Sequence, residues 1–336
     1  MKLIDQALAW IGGNGARAWP PGRLSLALQG GGSFGAFTAG VLDRLLDEPG
    51  IAFDAVSGAS AGAVNAVLLA SGLIESRAAA KLKLARFWKR MSASAAFLPK
   101  ASLAIAAPFL HSLSPYQFNP FNLDPLRDAL AAEVDFAELR ARSPARLLIG
   151  ATRVRDGKLR IFEASELTIE SVLASACLPL IHHTVEIEGE PYWDGGYAAN
   201  PPLIPLVRAS TAGHLLIVQI TPTASERLPT SPREIARRLE RIQFNATLNA
   251  ELEAIKLGII LRATPKLRRL RIGRISAQDE FTGLENESPA DLGREFLDRL
   301  RRSGRGAVET WLVEAAPRER RESGSPAEGW SWGGAG

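Results

Sequence analysis

The chain has 336 residues, 46% of them hydrophobic and 23% charged, with a formal net charge of +4. That is enough apolar material for one large α/β domain or two smaller ones, and the mild positive charge gives no basis for nucleic-acid binding. A single cysteine, Cys177, excludes an internal disulfide and fits a reducing compartment.

Residues 1–22 read as a terminal helix and linker. Leu3, Ile4, Leu8 and Ile11 share one helical face, and Gly12-Gly13-Asn14-Gly15 cuts the apolar stretch short of a signal-peptide core. Leu24 to Leu28 reads as a buried strand, followed by the loop Gly30-Gly31-Gly32-Ser33-Phe34-Gly35 and an amphipathic helix from Ala36 to Asp47. A second strand, Phe53 to Val56, leads into Gly58-Ala59-Ser60-Ala61-Gly62 and a helix of small residues to Ala70. This order is what a parallel sheet with covering helices requires. Arg77 to Met91 is a charged helix. Residues 92–123 then turn apolar, broken by Pro99, Pro108, Pro115 and Pro120, and read as an insertion packed on the core or a lid at a site mouth.

Arg146 to Val154 and Lys158 to Ala164 read as a hairpin around Arg155-Asp156-Gly157, and Val185 to Trp193 as a second, smaller one. A helix from Thr168 to Ala176 lies between them. His214 to Ile220 is a strongly apolar strand. Ser231, Pro232 and Glu234 cap a long helix that runs to Leu261. Leu267 to Ile275 alternates loosely, and Pro289 to Leu312 is a final helix. Lys266, Arg268, Arg269, Arg271 and Arg274 suit a charged strand edge, with anionic headgroups as the other reading. Residues 316–336 have the composition of a disordered tail. No run of about 20 apolar residues reads as a transmembrane helix.

A serine in G-x-S-x-G between a strand and a helix sits on a sharp turn that holds its hydroxyl above the sheet. Helix-end N–H groups there can stabilise negative charge. Two readings compete for the triglycine loop: a phosphate cradle or an oxyanion hole. The first lacks G-x-G-x-x-G, a following Lys-Ser/Thr and an acid closing the next strand. The second has Ser60 on the next strand. Ser60 needs a base. His111, His182, His183 and His214 are the histidines, and Asp194, on the tight turn Trp193-Asp194-Gly195-Gly196-Tyr197, is the alternative. A Ser-His-Asp triad through His182 or His183 would break the usual chain order of α/β-hydrolases, in which the histidine comes last. A silent lipid- or protein-binding scaffold is a third reading. Cys177 reads as a small buried residue.

Gly30 to Gly35, Gly58 to Gly62 and Asp194 to Gly196, in that order, resemble the patatin-like phospholipase and acyl hydrolase family of bacterial type. Leu26-Ala27-Leu28-Gln29, Ser175 to Pro179 and Asn200-Pro201-Pro202 add to the likeness, which spans roughly 23–315. The resemblance implies a three-layer α/β/α fold around a mostly parallel sheet. It implies Ser60 as nucleophile on an elbow flanked by Gly58 and Gly62. Asp194 would be its base, on the turn of Gly195 and Gly196, and the amides of Gly30, Gly31 and Gly32 the oxyanion hole. The implied reaction is hydrolysis of a lipid-like carboxylic ester (phospholipid, lysophospholipid or acylglycerol) through an acyl-enzyme, with no cofactor or metal. Many members carry Arg or Lys where this chain has Phe34, which leaves the headgroup open. The expected partners are a lipid or ester substrate and, transiently, a membrane surface, with no nucleic acid. The expected location is cytoplasmic and peripheral at the membrane, with secretion lacking a cleavable signal left open.

Overall fold

Apolar residues on both faces of a strand call for helices on both sides of the sheet, and this governs the architecture. The computed structural model describes residues 20–96, 114–119, 122–225, 227–261 and 263–314. The expected terminal helix at 1–19, the centre of the apolar insertion and the tail at 316–336 lie outside them. Among the described residues eight strands form one sheet. They are β1 (Arg23–Leu28), β2 (Ala52–Gly58), β3 (Arg146–Arg153), β4 (Leu159–Glu163), β5 (Val185–Ile187), β6 (Glu190–Asp194), β7 (His214–Gln219) and β8 (Arg271–Ser276). The order is β5-β6-β3-β2-β1-β7-β8, with β4 also on β3. The five strands from β3 to β8 in that order pair in parallel, and β4, β5 and β6 add antiparallel pairs.

The main helices are α1 (Gly35–Leu45), α2 (Ala61–Leu73), α3 (Arg77–Ala96), α4 (Ile169–Ser175), α5 (Leu203–Ala209), α6 (Pro232–Ile260) and α7 (Arg294–Glu314). Strand alternation distributes the core between two layers. Leu24, Leu26 and Leu28 of β1 and Leu216 and Val218 of β7 join α1, α2, α3 and α7 on one face. Ala27, Leu215 and Ile217 join α5 and α6 on the other. The capping box of Ser231 and Glu234 starts α6 as expected. The loose alternation at 267–275 resolves differently: Thr264 caps a short helix, Pro265–Arg269, and only Arg271–Ser276 is strand. Its arginines lie on the edge strand β8.

Two features of this sheet make the site. β1 is flanked by β2 and β7, so the loop after β1 opens at the point where the strand order reverses, where α/β sheets form their crevice. The second feature is on β3. Leu148 pairs with Ser57 of β2 and Glu163 of β4, so β2 and β4 lie on opposite edges of β3. Ala151 pairs with Arg160 of β4 and Asp194 of β6, so β4 and β6 also lie on opposite edges. β2 and β6 therefore share one edge of β3 and run toward each other, and their carboxyl ends meet head to head.

α2 can start directly above β1 only because position 62 has no side chain. A Cβ on Gly62 would lie 2.0 Å from the Leu28 carbonyl oxygen, a backbone atom that cannot swing away. Gly62→Ala should destabilise the protein by about 3 kcal/mol in chemical denaturation. Gly50→Ala, where a Cβ would meet nothing within 4 Å, should change stability little.

Candidate functional site

Ser60 ends the turn after β2 and caps α2 with φ 54° and ψ −127°, a left-handed strain at a non-glycine residue. Its amide donates to both the carbonyl oxygen (3.0 Å) and the hydroxyl (3.1 Å) of Ser175 at the end of α4. The Ser175 hydroxyl in turn donates to the Gly150 carbonyl on β3 at 2.6 Å. The elbow is thus tied to β3 through Ser175. Ser60 is 7% exposed.

Asp194 closes β6 at the junction with β2 and is wholly buried. Its amide donates to the Cys177 carbonyl at 2.8 Å, and its carbonyl accepts the Thr152 hydroxyl at 2.7 Å. Its Oδ1 accepts the Gly196 amide at 2.7 Å. Its Oδ2 makes no hydrogen bond of good geometry, and the Ser60 hydroxyl is the one side-chain donor acting on the carboxylate. Burial pushes the Asp194 pKa up from 3.8 to about 7. The Gly196 amide and the Ser60 hydroxyl pull it back, and the charge of Glu240 on α6 adds to the rise.

The glycine loop lies against the elbow. A Cβ on Gly30 would be 2.6 Å from Ser60 Cβ, so only glycine allows this approach. Gly32 has φ +57°. Of the three glycine amides expected to face an oxyanion, that of Gly30 donates to Asn200 Oδ1 at 2.6 Å, and the Gly30 carbonyl accepts the Thr221 hydroxyl at 2.9 Å. The amides of Gly31 and Gly32 have no acceptor among the described residues, while the next amide, Ser33, donates to the Pro289 carbonyl at 2.8 Å. Gly58 and Gly62 flank the elbow, and Gly195 lies over β3 beside Ala59.

Phe34 does not face the site. It is buried under α7, edge-on to Phe296 with ring centroids 6.2 Å apart. His182 and His183 are engaged elsewhere. His182 Nδ1 accepts the Leu178 amide, and burial holds its pKa below the usual value. His183 Nε2 bonds to the Pro115 carbonyl, and its ring packs on Tyr116. Both line a cavity of about 190 Å³ with Asp124, Arg127 and Cys177, and neither Ser60 nor Asp194 lines it. Burial raises the Cys177 thiol to about 12, as befits a packed residue. His111 lies outside the described residues. Among those residues no His, Cys, Asp and Glu cluster could hold a metal ion, and no helix is long and apolar enough to cross a membrane.

Three residues that anchor the site escaped the sequence reading. Asn200 was visible only as part of Asn-Pro-Pro. Ser175 was visible only as the first residue of Ser175 to Pro179, and Thr221 had no motif of its own. A further anchor is Gln29, fully buried, whose Oε1 accepts the amides of Ile220 and Thr221 and whose Nε2 donates to Asn245 on α6.

The profile of the family described as patatin-like phospholipase matches residues 26–207. No curated protein sequence matches significantly. Among solved structures, VipD from Legionella pneumophila is 16% identical, with a TM-score of 0.45 over 89% of this chain and 68% of that one. The type III effector ExoU is 18% identical, with a TM-score of 0.38 over 88% of this chain and 54% of that one. ExoU in its heterodimer with SpcU, from Pseudomonas aeruginosa, gives 17% and 0.39 over 88% and 52%. With more than half of its length under that family profile, and with the glycine loop, serine elbow and acid turn in one crevice, the chain belongs to the patatin-like phospholipase family.

Proposed function

We propose that the chain is a serine acyl-ester hydrolase for lipid-like carboxylic esters, with Ser60 as nucleophile and Asp194 as its base. The observation that carries this reading is the Asp194 carboxylate: buried, raised to about 7, and coupled to one side-chain hydroxyl, that of Ser60. A carboxylate with an ordinary pKa is too weak a base for serine near neutral pH. One held near 7 in a dry site is matched to the task.

In the acylation step Ser60 Oγ attacks the ester carbonyl carbon, and its proton passes to Asp194. The carbonyl oxygen becomes an oxyanion facing the unpaired amides of Gly31 and Gly32, with the N-terminus of α2 adding positive potential. Collapse breaks the ester C–O bond, and the leaving alkoxide takes the proton from Asp194. Water then attacks the acyl-Ser60 carbonyl and gives its proton to Asp194. Release of the fatty acid returns that proton to Ser60. No histidine is needed in either half. The family supports the lipid character of the ester. Phe34, packed in the core, supplies no cation for a phosphate.

Ser60→Ala should abolish turnover of a chromogenic ester. Asp194→Asn should lower kcat by about 10²–10⁴-fold. His182→Ala and His183→Ala should keep near wild-type kcat; a histidine change that stops turnover while Asp194→Asn spares it would overturn the dyad.

The pH dependence of activity and of stability should run in opposite directions. The base acts unprotonated, so kcat/KM should climb with a midpoint near the Asp194 value of about 7 and then level off. The folded state keeps the Asp194 proton between 3.8 and about 7, where the unfolded chain has released it. Stability from this group is therefore highest at low pH and declines as pH rises toward 7. Asp194→Asn should raise unfolding free energy at pH 8, by about 4 kcal/mol at most, and the gain should vanish near pH 4.

Asn200 is proposed as a positioning residue that fixes the glycine loop through Gly30. Asn200→Ala should lower kcat by about 10- to 100-fold with little change in KM. The midpoint of the pH profile should stay where it is, because Asp194 is untouched.

A further inference from the structure

α6 is longer than the sheet it covers. Asn245 lies level with the carboxyl ends of the strands, since its Oδ1 accepts from Gln29 after β1 and Gln219 at the end of β7. Below it Leu248, Ile255 and Ile259 pack on the sheet. The helix runs down from Asn245, so Pro232 to Gln243 stands beyond the strand ends, on the side where Ser60 and Asp194 lie. At 1.5 Å per residue the overhang is about 18 Å long. It is fixed rather than loose: Arg241 donates to the carbonyls of Glu285 and Glu287, and Arg238 to that of Thr223.

This overhang is apolar on its outer side. Ile235, Leu239 and Ile242 follow i, i+4, i+7 spacing and are 43%, 62% and 50% exposed, and Leu228 just before the helix is 84% exposed. From Arg227 to Gln243 the chain carries five arginines against two glutamates, Glu234 and Glu240, and Arg238 follows Ile235 by three residues on the helix. Across the acid turn, Leu180 and Ile181 are also exposed, three and four residues beyond Cys177, whose carbonyl holds the Asp194 amide. α6 touches the same turn from its own side, where Phe244 packs against Tyr197. Exposed apolar residues thus lie on both flanks of the Asp194 turn.

We propose that the first three turns of α6, with Leu228, form the surface by which the protein docks on an anionic lipid bilayer. The occupant is argued from three observations together. Large apolar side chains in a stripe, on a segment of net positive charge, match an interface of acyl chains below anionic headgroups. The stripe stands beyond the carboxyl end of the sheet, where a substrate leaving the bilayer would enter. The flanking Leu180 and Ile181 extend the apolar rim past the site rather than to a separate face. The proposal rests on the lipid-ester reading above, and the test separates the two.

Full-length protein carrying Ser60→Ala, so that vesicles stay intact, is co-sedimented with vesicles of phosphatidylcholine containing 30% phosphatidylglycerol. Binding is expected, weakened by high salt and by omission of phosphatidylglycerol. Leu228→Asp with Leu239→Asp should reduce partitioning at least about tenfold. With Ser60 restored, the same double variant should hydrolyse a soluble short-chain ester at the wild-type rate. Wild-type partitioning that is absent, or unchanged in the double variant, overturns the docking surface. A wild-type dimer that the double variant converts to a monomer also overturns it, by assigning the stripe to a second copy. Ester turnover without vesicle binding sinks the docking surface and leaves the dyad standing. Vesicle binding without Ser60-dependent turnover does the reverse.

Discussion

A carboxylate held out of water at the junction of β2 and β6 is the constraint on which the rest of this site depends. β6 runs antiparallel to β3 on the edge that β2 has just vacated, so its last residue arrives beside the turn that follows β2. The backbone of Asp194 is fully satisfied there by Cys177 and Thr152, and Oδ1 by Gly196. Only Oδ2 is left without a fixed partner. An unsatisfied buried carboxylate oxygen is costly. It persists because the strand pairing around it holds the residue in place. The same pairing that makes the carboxylate uncomfortable makes it basic.

The glycine loop is held with comparable redundancy. Asn200 grips Gly30 from the segment after the acid turn, Thr221 from the end of β7, and Pro289 holds Ser33 from the segment before α7. Arg241 binds the carbonyls of Glu285 and Glu287, just upstream of Pro289, so α6 braces the loop at one remove. A loop with three glycines in a row has large conformational freedom in the unfolded chain. Anchors from three different segments remove that freedom on folding and leave two amides, those of Gly31 and Gly32, without acceptors among the described residues.

Much of this was legible in the sequence because it is local. The apolar runs of β1 and β7, the Ser231 capping box and each of the glycine, serine and aspartate motifs lie within a few residues. The parts that were not legible are long-range polar contacts. Asn200 meets Gly30 across 170 positions and Gln29 meets Asn245 across 216. No motif spans such distances, and a single asparagine or glutamine reads as a surface residue until the fold buries it. Gly30 is instructive for the same reason: its place in the motif was evident, but the partner that occupies its amide was not. The helices at Pro125–Glu133 and Phe136–Arg142 were overlooked although Asp124 and Asp135 cap them by ordinary local rules.

Phe34 separates ester chemistry from headgroup recognition. In the sequence it stands where a cation could meet a phosphate. In the fold it fills the space between α1 and α7 beside Phe296, so even a basic residue there would begin from a buried position. The glycine loop accordingly offers amides and no charge. In the reaction proposed above, amide donors would act on whichever oxyanion forms at Ser60 and would not distinguish a phospholipid from an acylglycerol. Discrimination among substrates must come from groups farther out, around the mouth rather than at the reacting carbon. Those positions include the upper end of α6 and the segment after Cys177. The exposed Leu180, Ile181, Ile235 and Leu239 there can change without disturbing the buried carboxylate below. The fold thus places the chemistry in its most constrained layer and leaves selectivity to its least constrained one.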